Sequence, residues 1–201
     1  MAQGDVDAAK QEKRARATVR RALVIVDMSV EQMASLTYKK KAVIDCVHRL
    51  CRLALSGGAP FWELVVDSRL WLHSATESTL SRTYPEWGTS MGLPDSEGAD
   101  LIPELRDCRS ELLFVEKKHF SCFVDSKLME LLQAREITEV YLVGINTDYC
   151  VLATALDSHS RGRFDTFVIE DGVSSVAGRE GHLEGLHRIR CFLGEDCVMS
   201  E

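Results

Sequence analysis

Five short apolar runs recur along the chain: ALVIVD (22–27), FWELVVD (61–67), ELLFVEK (111–117), VYLVGI (140–145) and DTFVIEDG (165–172). Each is rich in Val, Ile, Leu or Phe. The first and fourth lack polar alternation, the pattern of parallel strands covered on both faces. Helical patterns lie between the runs. KKKAVIDCVHRLCRLALSGG places Val43, Cys46, Val47, Leu50, Leu53 and Ala54 on one face and stops at Gly57 and Gly58. DSKLMELLQAREI offers Asp125 as an N-cap and groups Leu128, Leu131 and Leu132. CVLATALDSHSRG and EGHLEGLHRIRCFLG complete the set. Strand alternating with helix predicts a three-layer α/β/α domain, doubly wound around a mostly parallel sheet. Segment 68–104 holds three of the four prolines and reads as a long irregular insert, a kind of loop that is often functional.

The length of 201 residues suits one such domain, enough to bury roughly 70% of the unfolded chain's surface. The first twenty residues form a polar, basic stretch with Lys10, Lys13, Arg14, Arg16 and Arg20. It has no apolar core of a secretory signal and reads as a flexible arm preceding a domain over 21–201. Mitochondrial targeting is the other reading of the arm, and Asp5, Asp7 and Glu12 count against it. No apolar run has the length of a membrane span. A net charge of −7 argues against nucleic acid as the main partner. The seven cysteines are odd in number and contain no CxxC, so neither a disulfide framework nor a zinc ribbon is indicated. A reducing, cytoplasmic setting is expected, in which most of them serve as small apolar residues.

Ligands of open parallel sheets bind beyond the carboxyl ends of the strands. The runs end at Asp27, at Asp67, at Lys117 with its neighbour Lys118, and at Gly144, with Cys150 six residues further on at the head of a helix. An acid, an amine and a thiol thus converge on one rim. A helix N-terminus and a nearby ammonium both lower a thiol pKa. A carboxylate beside them can take the thiol proton and later activate water. The plain alternative is that ionisable residues mark strand ends because the chain meets solvent there.

Three motifs, ALVIVDM, VEKKHFSCF and GINTDYCVLATALDS, resemble those of the isochorismatase-like cysteine hydrolases, a group with nicotinamidases, N-carbamoylsarcosine and ureidoacrylate amidohydrolases, and isochorismatases. Order and spacing are kept from about Arg21 to Gly172. GLPDSEGADLIPEL resembles a further segment of the same family. The resemblance implies an Asp-Lys-Cys triad of Asp27, Lys117 and Cys150. Ser121 and Phe123 set the register that selects Lys117 over Lys118. It also implies a cis peptide between Ile145 and Asn146, with the N–H groups of Asn146 and Cys150 forming an oxyanion hole. Small-molecule substrates and homodimers or homotetramers are the family's habit.

Departures from the pattern matter as much. Family members that bind a divalent metal use D-x-H after the second strand and then W-P-x-H. Here Asp67 keeps the acid, Arg69 replaces the first histidine, and Trp87 of YPEW replaces the last. Asp67 and His73 are left as vestigial candidates, too few donors for a defended site, so no metal and no other cofactor is expected. The first motif reads DMSVEQM without the usual Gln and aromatic. Asp148 and Tyr149 flank the thiol and either tune it or cap and pack the helix. Trp71, Trp87, Phe123 and Tyr149 are candidate pocket walls, while Trp62 reads as core. His119 and His48 read as ordinary side chains. The presence of Cys150 favours hydrolysis of a small amide or ureide through a thioester. Hydrolysis of a vinyl ether with Cys150 idle, and a silent binding or scaffolding role, are the alternatives.

Overall fold

A computed structural model of the chain describes residues 18–53, 61–74, 78–84 and 91–201. Six strands form one parallel sheet: β1 (Arg21–Val26), β2 (Leu64–Leu70), β3 (Leu112–Lys117), β4 (Glu139–Ile145), β5 (Asp165–Ser174) and β6 (Val198–Met199), ordered β3-β2-β1-β4-β5-β6. The direction of winding reverses between β1 and β4, which makes that junction the topological switch point. The sheet is wholly parallel, and the short edge strand β6 has no counterpart among the five apolar runs.

Alternation along β1 divides the interior. Ala22, Val24 and Val26 point into one core, with Leu128 and Leu132 of α4 (Leu128–Ala134), Ala155 of α5 (Leu152–Ser160), and Leu186 and Ile189 of α6 (Gly178–Leu193). Leu23 and Ile25 point into the other, against Val43, Val47 and Leu50 of α2 (Lys40–Arg52) and against the 3₁₀ segment Pro103–Glu111. Burial of both faces is why these strands show no polar alternation.

Three expected boundaries move. β2 continues three residues past Asp67, because Arg69 two positions on, on the same face, donates to both carboxylate oxygens at 2.9 Å and lets the charged stretch stay buried. Asp125 does not cap α4. It has φ +48° and its carboxylate faces His119 at 2.9 Å, and α4 begins at Leu128. Cys150 does not head a helix. It lies in a single π-type turn, Thr147–Val151, that leads into α5.

The insert is less irregular than expected. It contains α3 (Thr79–Thr83), opened by a Ser78–Ser81 capping box. Residues 91–102 are tied to the loop after β1 and to the short helix α1 (Val30–Ala34): Val30 N–H donates to Asp100 at 3.0 Å, Glu31 N–H to Gly98 at 2.9 Å and Ile102 N–H to Met28 at 3.1 Å. The arm over residues 1–17, the glycine stop at Gly57 and Gly58, and Trp87 lie outside the described residues. Among the described residues no helix is long and apolar enough to cross a membrane.

Candidate active site

Asp27 follows β1 immediately, at the switch point. Val26 pairs with Gly144, and Gly144 has φ +106°, where a Cβ would lie 2.1 Å from the Val26 carbonyl oxygen. Only glycine lets β4 pass that close to β1, and the closeness brings the loop after β4 against Asp27. The Ile145–Asn146 peptide is cis. Asn146 then accepts, through its carbonyl, from the N–H groups of Tyr149 at 3.1 Å and Val151 at 3.0 Å, which closes the turn carrying Cys150. The turn is backed by Gly185 of α6, where a Cβ would meet the Thr147 carbonyl carbon at 2.6 Å.

Lys117 ends β3 and its side chain is 1% exposed. Its ammonium forms an ion pair with Asp27 Oδ2 at 2.8 Å and donates to the His119 carbonyl at 2.9 Å and to Cys150 Sγ at 3.5 Å. The other Asp27 oxygen accepts from Leu70 N–H at 3.0 Å. Asp27 adopts φ +54°, and its N–H donates to Ser68 at 2.9 Å. Burial, the largest single influence, would lower the Lys117 pKa, but the charge of Asp27 together with Cys150, Cys122 and the hydrogen bond to Asp27 outweighs it, the net shift is upward and the ammonium stays charged.

The thiol departs from the expectation of a lowered pKa. Burial pushes Cys150 up, Lys117 partly offsets this, and the charge of Asp27 and its hydrogen bond with the thiol add to the rise. The resting site therefore holds carboxylate, ammonium and neutral thiol. Moving the thiol proton to Asp27 leaves the net charge of the trio unchanged, so a buried site accommodates either form. Cys122, fully buried, is near the same ammonium and carboxylate. Its N–H donates to Thr154 Oγ1 at 3.1 Å, and that hydroxyl donates to the Cys150 carbonyl at 2.7 Å.

Cys150, Lys117 and Asn146 open onto a cavity of about 250 Å³. Tyr84, Phe120 and Tyr149 form an aromatic wall, with Phe120 centred 5.9 Å from Tyr149 and 6.3 Å from Tyr84. Leu70, Leu80, Met91 and Val176 supply apolar surface, and Gln32 and Ser35 supply the remaining polar groups. Tyr149 is half exposed at the mouth. Among the described lining residues Lys117 alone carries a charged side chain, and that charge is matched by Asp27.

The site assembled this way contains Asp27, Lys117, Cys150, Ile145, Asn146 and Tyr149, but two expected walls are elsewhere. Trp71 lies one position past Leu70 and faces the other side of the sheet, with its ring 5.0 Å from Phe114 and within 6.0 Å of the Arg69 guanidinium. Phe123 is core, stacked on Phe164 at 6.5 Å. The vestigial metal pair is also dispersed. Asp67 lies mid-strand on that other side, closed off by Arg69, while His73 is exposed beside Glu116 at 3.7 Å. The β2 residue that reaches the rim is Leu70, which offers no ligand atom. Lys118 lines a separate depression with Glu116 and Asp125. Asp148 caps nothing: its carboxylate lies against Gly181 near the start of α6. His119 contributes its carbonyl, not its ring. Gln32, Ser35, Leu70, Tyr84 and Phe120 were not among the residues expected at the site.

The isochorismatase domain family model matches residues 21–197, and the chain belongs to this family. The isochorismatase family protein PncA of Bacillus subtilis (strain 168) is 32% identical over 105 residues, 49% of this chain and 56% of that one. The ureidoacrylate amidohydrolase RutB of Acinetobacter baylyi is 27% identical over 122 residues, 61% of this chain and 49% of that one. The chain thus spans about half the length of the curated relatives it matches. In fold it is similar to the crystal structure of nicotinamidase PncA from Bacillus subtilis, with a TM-score of 0.75 at 24% identity over 91% of this chain and all of that one.

Proposed function

We propose that the protein is a cysteine hydrolase that cleaves the C–N bond of a small, uncharged amide or ureide through a thioester on Cys150. The observation that carries this reading is the thiol of Cys150 at a cavity wall, 3.5 Å from a buried ammonium that is itself 2.8 Å from Asp27. Similarity to an amidohydrolase and to a nicotinamidase supports the reaction class. The cavity's small volume and the lack of an unmatched charge among its described lining residues support the substrate class.

In the first half-reaction Asp27 accepts the thiol proton as sulfur attacks the substrate carbonyl carbon. Lys117 keeps its positive charge beside both groups throughout. The N–H groups of Asn146 and Cys150 are the donors assigned to the oxyanion. Asp27 then returns the proton to the leaving nitrogen, the C–N bond breaks and the amine departs. In the second half, water gives a proton to Asp27 and attacks the thioester. The C–S bond breaks, the acid departs and the proton returns to sulfur.

Among the described residues the cavity lining does not provide the donors of a divalent-metal site: no carboxylate or imidazole lines it, and Asp67 is committed to Arg69. The test is a panel of neutral carboxamides, ureides and isochorismate, assayed with and without a chelator. The reading expects amine release that ignores chelator and disappears in Cys150→Ala. Turnover of isochorismate that survives Cys150→Ala would replace it with acid catalysis by Asp27 alone.

A further inference from the structure

Cys51 and Cys108 belong to the core on the side of the sheet opposite the Cys150 core, where α2 meets the 3₁₀ segment Pro103–Glu111. Both are fully buried. The Cys108 thiol lies within 4.8 Å of the Asp107 carboxylate and of a His48 ring nitrogen. Asp107 in turn meets His48 Nε2 at 2.9 and 3.1 Å. His48 and Cys51 are three residues apart on α2 and so share a face. One imidazole, one carboxylate and one thiol therefore form a single cluster, open to solvent at its His48–Asp107 end.

We propose that His48, Asp107 and Cys108 bind one divalent cation of the zinc class, at a site separate from the catalytic cavity. Nitrogen, oxygen and sulfur make three donors suited to four-coordinate zinc, with water in the fourth position. The donor atoms of His48, Asp107 and Cys108 already lie within 4.8 Å of one another. Tetrahedral zinc places its ligand atoms roughly 3.3–3.8 Å apart, so a contraction of about 1 Å closes the three protein donors around the ion. His48 and Asp107, both partly exposed, can supply that movement.

Binding replaces the S–H bond of Cys108 by one metal–sulfur bond, and the proton leaves to solvent. Burial, and then the charge of Asp107, push the Cys108 thiol up to about 11. Without a cation the thiol therefore keeps its proton. One neighbour opposes the site: Arg52 Nη1 lies 3.4 Å from Asp107. That side chain is 59% exposed and is free to turn to solvent.

The test titrates the reduced full-length protein with Zn²⁺ against a chromophoric chelator, and with Co²⁺ to read a thiolate-to-metal charge-transfer band. The background is Cys191→Ser, because Cys191 and His187 form an exposed pair, 3.5 Å apart, able to take metal adventitiously. The proposal expects one equivalent bound with the thiolate band present. It expects at least a tenfold loss of affinity in both His48→Ala and Asp107→Asn, and loss of the band in Cys108→Ser. It expects Cys150→Ser to bind as the background does. His48 and Asp107 are surface positions whose variants retain the core, so failure of Cys108→Ser to fold leaves the test intact. No stoichiometric binding, or affinity unchanged within threefold in His48→Ala and Asp107→Asn, overturns the proposal. Retention of amide turnover in those variants keeps this result independent of the hydrolase reading.

Discussion

The Asp27–Lys117 pair makes a prediction that joins stability to chemistry. Both side chains are 1% exposed, and the ammonium has no solvent to fall back on. Asp27→Asn keeps the shape but leaves a buried charge without its counterion. Lys117→Met leaves a buried carboxylate that keeps the Leu70 N–H donor but has lost its counterion. Breaking a buried pair from one side costs about 3–5 kcal/mol. The double variant Asp27→Asn/Lys117→Met removes both charges together and should recover much of that loss, giving a coupling energy of about 2–3 kcal/mol. Activity should not follow stability: all three variants lose roughly 10²-fold or more in turnover, the two Asp27→Asn variants because proton transfer needs the carboxylate and Lys117→Met because the ammonium beside carboxylate and sulfur is gone. Denaturant unfolding with an unchanged m-value supplies the stability cycle, and amine release supplies the activity. Lys117 adds a check on sign. Its folded pKa is raised above 10.5, so its contribution is full below that pH and fades only as pH rises further. A cost below 1 kcal/mol for Asp27→Asn, or additive single losses, would refute a charged buried pair.

Two further perturbations test the scaffold around that pair. Gly144→Ala must hold φ +106° and place a Cβ 2.1 Å from the Val26 carbonyl oxygen. It should destabilise by roughly 2–5 kcal/mol and depress turnover in whatever fraction folds, read by thermal unfolding and single-turnover kinetics. His182, fully buried and bonded to Thr147 Oγ1 at 3.0 Å, has its pKa lowered below 6.5 by burial and then by Lys39. Its stabilisation is therefore present above pH 6.5 and lost as pH falls through the depressed value. Wild type should lose up to about 1.4 kcal/mol per pH unit in that window, a slope that His182→Gln removes, as pH-dependent denaturation would show.

The residue pattern was most legible where burial is two-sided. β1 and β4 are unbroken apolar runs, and the ends of those runs point to Asp27 and to the turn with Cys150. β2 was misplaced because a carboxylate in a sequence reads as a strand's exit. In the fold Arg69 cancels Asp67 on the same face, so the strand continues and Leu70, an unremarked apolar residue, becomes the rim. The same three-residue shift explains Trp71: neighbours along a strand face opposite ways, so the ring next to Leu70 cannot share its cavity. Phe120 carried a usable signal, since it fills the aromatic place of the lysine motif, whereas Tyr84 and Met91 reach the cavity through the insert and left no periodic trace. The direction of the Cys150 pKa was also beyond the sequence. Spacing places a cation nearby, but only packing reveals how completely the thiol is buried.

The account's central claim is that Cys150 is the atom that takes the acyl group. A short incubation with p-nitrophenyl acetate, acid quench and peptide mass analysis tests it directly. The prediction is one acetyl group per chain, on Cys150, labile to hydroxylamine and absent in Asp27→Asn. An acetyl group borne instead by Cys191 or a surface lysine, with Cys150 unmodified while p-nitrophenol is released, would contradict it.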